Sequence, residues 1–189
     1  MDGGKSMTTL RIYEDRPPFG HLAVDGDFDS IVQQLAPTGV RLERWAAEAG
    51  LLFQPTDGDI LAAYAADLER LQSTGGYRSS DIIRLQPDHA DRDALRVKFL
   101  AEHVHDDDEV RFFVEGAGLF YVRAAGMVFA LECTADDLII LPAGTRHWFD
   151  TGERPRFTAI RLFTRPDGWV ARFTGDPISK AIPQYQGAP

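Results

Sequence analysis

From about residue 100 the chain breaks into short apolar segments that suit strands better than helices. Residues 110–114, 118–122, 127–133, 138–141 and 157–163 are rich in aromatic and β-branched side chains, and turn-forming residues separate them. Glu115-Gly116-Ala117-Gly118 and Ala124-Ala125-Gly126 read as tight connections. Many short strands at such intervals predict an antiparallel barrel or sandwich, which limits exposed sheet edges. The expected fold class is mainly β.

The first hundred residues have a different grain. Residues 10–13 read as a strand stopped by Pro17-Pro18, and 40–45 alternates weakly as a second strand. Residues 28–35 read as a helix with Asp27 placed to cap it. The clearest helix is 59–71, where Leu61, Tyr64, Leu68 and Leu71 share one face and Gly75-Gly76 follows. Residues 80–86 and 92–99 read as further helix, interrupted near Pro87. A mixed helical and strand layer (8–100) is thus expected outside a barrel core (101–175), within a single domain spanning 1–189. The tail from Asp176 holds one short helix before a Pro/Gly-rich end.

Composition narrows the function. The net charge of -9 disfavours nucleic acid, which needs a basic surface. No apolar run reaches the ~18 residues of a membrane helix, and the polar start at 1–6 lacks the apolar segment of a secretory signal. The cytoplasm is the expected location. Cys133 is the only cysteine, so an intramolecular disulfide and a thiolate zinc site are both excluded. It lies in an apolar run and reads as packing. With no coiled-coil stripe in the sequence, a monomer is expected.

One run concentrates the chemistry: Glu102-His103-Val104-His105-Asp106-Asp107-Asp108-Glu109, with His147 after Pro142-Ala143-Gly144-Thr145-Arg146. Two histidines two residues apart on a strand face the same side. A bend through the aspartates can return Glu109 to them. Pro142 and Gly144 build a rigid turn that delivers His147. Three nitrogens and one oxygen suit iron, nickel, cobalt, manganese or zinc, and not the oxygen cage of calcium. On an octahedral ion they leave two positions for substrate or water. Asp106, Asp107 and Asp108 are expected at solvent or in hydrogen bonds around the ligands. Glu102 faces the other side on a strand, yet remains a candidate to orient a neighbour or take a substrate proton. Arg111 and Arg161 lie in apolar strands, where a buried cation needs a carboxylate partner or an anionic ligand. His21 and His89 read as structural or exposed. Among the aromatics, Phe112, Phe149 and Trp169 are candidates for an apolar substrate wall.

These blocks resemble a known family. His103 through Phe120, Pro142-Ala-Gly-Thr-Arg-His-Trp-Phe-Asp150, Phe157-Thr-Ala-Ile-Arg-Leu-Phe163 and Gly168-Trp-Val-Ala-Arg-Phe-Thr-Gly-Asp176 are similar to acireductone dioxygenases, and the likeness covers most of residues 80–182. The HxHxxxE and PxGxxH pair marks the broader cupin superfamily, and the EVRFFVEGxGxF block narrows it. The resemblance implies a cupin-type jelly-roll barrel and a place in methionine salvage. It implies His103, His105, Glu109 and His147 as ligands of one Fe(II) or Ni(II) per chain. The implied substrates are dioxygen and 1,2-dihydroxy-5-(methylthio)pent-1-en-3-one. Iron would give 4-methylthio-2-oxobutanoate and formate; nickel would give 3-methylthiopropanoate, formate and carbon monoxide. Arg111 and Arg161 are implied as active-site residues. Asp107 departs from the glutamate that some bacterial relatives carry, keeping the charge with a shorter reach. Another metal-dependent cupin enzyme, or a small-molecule-binding cupin, is the alternative.

Overall fold

The computed structural model describes residues 7–46, 51, 54–165, 167–168 and 170–187. Strands β1 (Thr9–Glu14) and β2 (His21–Asp25) form a hairpin, and helix α1 (Phe28–Leu35) leads to β3 (Arg41–Arg44). Helices α2 (Asp57–Ala63) and α3 (Ala65–Gly75) precede β4 (Ser79–Leu85), and α4 (Arg92–Leu100) follows it. Then come β5 (His103–Val104), β6 (Glu109–Ala124), β7 (Met127–Thr134), β8 (Asp137–Leu141), β9 (Arg146–Asp150), β10 (Arg156–Phe163) and β11 (Arg172–Phe173).

The 16-residue β6 organises the whole. Its first half pairs with β8 and β10, and its second half with β7 and β9. One face of the fold therefore runs β3-β8-β6-β10-β4, and the other runs β2-β1-β7-β6-β9-β5-β11. The strand bends between them at Gly116, whose φ of 75° favours glycine. A Cβ there would lie 1.8 Å from the Arg156 carbonyl oxygen, so no larger residue fits. Beside this point the register with β10 slips, because Thr158 faces Glu115 while Ala159 faces Phe113. That bulge sharpens the bend.

The result is a jelly-roll-like antiparallel sandwich. Its inner core draws Phe113 and Phe120 from β6, Leu131 from β7, Ile139 from β8, Phe149 from β9 and Phe157 from β10. A second core lies on the outer side of the first face, where Ile60, Tyr64, Leu68 and Leu71 of the helical region meet Phe112, Ile140, Ile160 and Leu162. A third lies outside the other face, where Ile178, Ile182 and Tyr185 cover Tyr121 and Trp148.

Three expectations need correction. Residues 115–118 do not form a tight connection; they are the bend inside β6. The other predicted turn is a two-residue hairpin, with Ala124 paired to Met127 and positive φ at Ala125 (52°) and Gly126 (78°). Residues 80–86 are not helical: β4 occupies Ser79–Leu85 and pairs with all of 157–163. Ile83 and Leu85 enter the inner core while Ile82 packs toward the helices. A strand with polar and apolar residues mixed on both sides loses the alternation that would have distinguished it. The helix expected over 59–71 begins at Asp57, capped reciprocally by Thr56 and Asp59, and breaks at Tyr64. The cap of α1 is as expected, Asp27 accepting from the Ser30 amide. Among the described residues, no helix is long and apolar enough to cross a membrane. Cys133 is fully buried, and burial pushes its thiol pKa up.

Candidate metal centre

Strand register brings the histidines together. His103 on β5 stands directly opposite His147 on β9, with ring centroids 4.4 Å apart. His105, two residues on, shares the face, and Glu109 opens β6 beside them. One donor atom from each of His103, His105, Glu109 and His147 lies within 4.8 Å of the others. The PxGxxH turn is tied to the same segment just past β5, the Gly144 amide donating to the His105 carbonyl at 2.9 Å.

Each imidazole is fixed from behind. Nδ1 of His103 meets the Ala101 carbonyl at 2.7 Å, that of His105 the Val170 carbonyl at 3.1 Å, and that of His147 the Thr145 carbonyl at 2.8 Å. A carbonyl only accepts, so each Nδ1 is the donor there, which fixes the ring and turns its Nε2 to the centre. Nε2 of His147 then sits 2.7 Å from Glu109 Oε2, and Nε2 of His105 3.4 Å from it. Three imidazole nitrogens converging with a carboxylate form a donor set that fits a divalent transition ion.

Electrostatics agree. Burial, then the neighbouring His147, push the His103 pKa down to about 4, so this ring is neutral at physiological pH. Burial also works against charge on His105, but its contact with Glu109 outweighs that and leaves the pKa raised. Burial raises Glu109, yet Arg111 and His147 hold it well below the usual carboxylate range. It is an anion ready to ligate.

The three aspartates fasten the ligand loop rather than joining the cluster. Asp107 is buried and accepts from the Thr164 amide (2.9 Å), Thr164 Oγ1 (2.5 Å) and the Arg165 amide (3.2 Å). Asp108 accepts from the Tyr77 hydroxyl and the Ala143 amide, both at 3.0 Å. Asp106 pairs with Arg172 at the surface. His89 accepts locally from the Asp91 amide, and His21 packs edge-on against Tyr13.

A cavity of about 360 Å³ opens beside the ligands, within the range of small-molecule sites. Arg111 lines it with only 6% of its surface exposed. Its Nη2 donates to Glu109 Oε1 at 2.7 Å, and its guanidinium lies over the rings of Phe149 (4.9 Å) and Phe120 (5.4 Å). Among the described residues, its Nε and Nη1 have no hydrogen-bond partner. An unmade bond at such a buried donor costs about 1–3 kcal/mol, which an acceptor on a ligand would relieve. Arg161 also lines the cavity, held by Asp81 through Nε (2.8 Å) and Nη2 (2.7 Å).

Phe149 lines the cavity as well, while two other predicted residues turn away. Phe112 stacks on Trp45 (4.8 Å) and meets Tyr64 edge-on (4.6 Å) in the helix-facing core. The reason is parity: Glu109, Arg111 and Phe113 point inward along β6, so Phe112 points out. Glu102 is buried outside the cavity lining, its Oε1 accepting from Thr174 Oγ1 (2.7 Å) and its Oε2 from Arg123 (3.4 Å). That position does not suit an acceptor of a substrate proton. Trp169 lies outside the described residues. Sequence reasoning missed Leu95 and Phe99 of α4, Asp81 and Ile83 of β4, and Phe163 and Phe173. Leu95 and Phe99 are spaced as one helix face, a signal that was present; Asp81 becomes visible only once β4 is paired.

The comparisons with known proteins point one way. An acireductone dioxygenase of Parvibaculum lavamentivorans is 50% identical over 183 residues, covering 97% of this chain and all of the relative. One from Serratia proteamaculans is 51% identical over 178 residues, covering 94% and 99%. Among solved structures, an acireductone dioxygenase from Bacillus anthracis with a cadmium ion in its active centre superposes with a TM-score of 0.77 at 29% identity, covering 89% of this chain and 99% of that one. The profile of the ARD/ARD' family matches residues 10–171, most of the chain. By sequence, fold and donor set together, the chain belongs to the ARD/ARD' family of acireductone dioxygenases.

Proposed function

We propose that the chain cleaves the methylthio acireductone with dioxygen, giving the keto acid and formate with iron(II), or the shorter acid, formate and carbon monoxide with nickel(II). The observation that carries this reading is the junction of two features. Four donors converge beside a cavity of about 360 Å³, and the same cavity is lined by a buried arginine with two unpartnered N–H groups. His103, His105, Glu109 and His147 would hold the ion, one per chain. The active unit is proposed to be a monomer. Iron or nickel bound there supplies Lewis acidity and a site for dioxygen chemistry.

The other roles fall to the protein. An enediol conjugated to a ketone is acidic, and its anion needs positive charge in a dry site. Arg111 and Arg161 supply it by directed hydrogen bonds. Phe149, with Phe99 and Phe163 on neighbouring walls, excludes water and accommodates the methylthio end. Glu102 serves as an anchor for the strand carrying His103.

The test is separate iron and nickel loading of metal-free protein, followed by acireductone, oxygen and product analysis. Formate from both forms and carbon monoxide from the nickel form alone is the expected result. Consumption no faster than the spontaneous oxidation overturns the proposal. Arg161→Ala is expected to keep its metal and lose turnover; wild-type turnover in that variant removes Arg161 from the mechanism.

A further inference from the structure

A row of charge crosses three strands on the cavity wall. Asp81 on β4 is the register partner of Arg161 on β10, and Arg161 is the register partner of Arg111 on β6. Glu109 lies two residues before Arg111 on the same face and bonds to it. The order is carboxylate, guanidinium, guanidinium, carboxylate, and all four line the cavity. Two like charges directly opposite on neighbouring strands repel. Each is therefore held by its own carboxylate.

The two pairs differ in setting. The Arg111 and Glu109 side chains are 8% and 13% exposed, whereas those of Arg161 and Asp81 are 28% and 49% exposed. An ion pair that open to water contributes little stability. Its geometry nevertheless does something. The carboxylate occupies Nε and Nη2, fixes the plane of the guanidinium and leaves Nη1 for a ligand. Without Asp81, repulsion from Arg111 and the pull of solvent would draw the long Arg161 side chain out of the cavity.

We infer that Asp81 is a positioning residue, holding Arg161 beside Arg111 so that the two guanidiniums form one slot for the anionic oxygens of the substrate. The inference rests on the acireductone reading above. Asp81 acts through Arg161 and not on the reacting atoms.

The experiment compares wild type, Asp81→Asn, Asp81→Glu, Arg161→Ala and the Asp81→Asn/Arg161→Ala double variant, all iron-loaded. Steady-state constants are measured together with anaerobic acireductone binding, metal content and thermal stability. Asp81→Asn is expected to raise KM and the anaerobic Kd about tenfold, with a smaller loss in kcat. Metal content should be unchanged, and Tm should move by no more than about 2 °C. Asp81→Glu keeps the charge and should restore binding to within about threefold. In the Arg161→Ala background, Asp81→Asn should add nothing, because its only route has been removed. Wild-type KM and Kd in Asp81→Asn, or full additivity with Arg161→Ala, overturns the role of Asp81. Wild-type protein inert toward acireductone overturns the functional reading instead.

Discussion

The metal centre and the outer wall of the cavity are built to different tolerances. Each imidazole is tied through Nδ1 to a backbone carbonyl, and two of the three are placed by direct register between strands. The wall opposite comes from α4, β4 and the stretch around 164–173. Helix α4 has no fully buried residue; Arg96 ties it to the buried Asp150, at 2.8 and 3.2 Å. Val170 and Phe173 are 48% and 52% exposed. Coordination is thus set by the sheets, with His105 alone braced from the wall stretch through the Val170 carbonyl, and substrate fit by side chains that can change at low cost. Substitutions in the first region should abolish chemistry, and those in the second should tune it.

The largest effect is expected at the centre. His147→Ala removes a ligand and the cross-strand partner of His103, and should strip most of the metal and lower activity by more than about a thousandfold. Metal analysis beside kinetics checks this. A variant that kept stoichiometric metal would show that the centre is less dependent on β9 than the register implies. Arg111→Met comes next, at the boundary between the two regions. It removes the cavity's buried donors while keeping most of the side-chain volume, and should cost about 10²–10³ in kcat/KM with metal retained. Loss of metal would place Arg111 with the ligands, as the partner that keeps Glu109 ionised.

Legibility in the sequence follows the same division. The ligands could be read because their geometry is local: a two-residue spacing puts His103 and His105 on one side, and turn chemistry delivers His147. Parity along β6 was equally available and excludes Phe112 from the cavity, since Glu109 and Arg111 already fix which side is inward. The wall was harder. Asp81 meets Arg161 across 80 positions of sequence, and β4 looked helical because neither of its sides is polar throughout. The bend in β6 was hidden for another reason: glycines at 116 and 118 suit a hairpin as well as a strand crossing between faces, and only the carbonyl of Arg156 against Gly116 decides.

Gly118 tests the joint between centre and wall. A Cβ there would lie 2.3 Å from the Phe149 ring, which touches Phe120 on one side and Arg111 on another. Gly118→Ala should therefore cost about 1–3 kcal/mol by overpacking. Thermal unfolding should show it as a Tm lower by about 2–10 °C. The displaced ring should also raise KM several-fold while metal content holds. Leu95→Ala on α4 is a milder change at a half-buried site. It should shift KM by only about two- to fivefold and stability by less than about 2 kcal/mol. A loss of metal in either variant would mean that the wall and the centre are not separable.

The smallest effect is in the protonation of the metal-free centre, read by NMR of the imidazoles. His103 should titrate near pH 4 and His105 above its ordinary value. The signs oppose. Between about pH 6.5 and 4 the unfolded chain takes up a proton that folded His103 refuses, so this residue's contribution to stability falls as pH drops through that window. Folded His105 holds its proton more tightly than the unfolded chain does. Its contribution is complete below about 6.5 and is lost as pH rises through its raised pKa. The two act with opposite sign and in different pH windows, so individual resonances separate them where a single unfolding curve does not. An ordinary midpoint for His103 would mean that water reaches the centre in the absence of metal. The contrast between a rigid centre and a yielding wall would then hold only for the metal-bound protein.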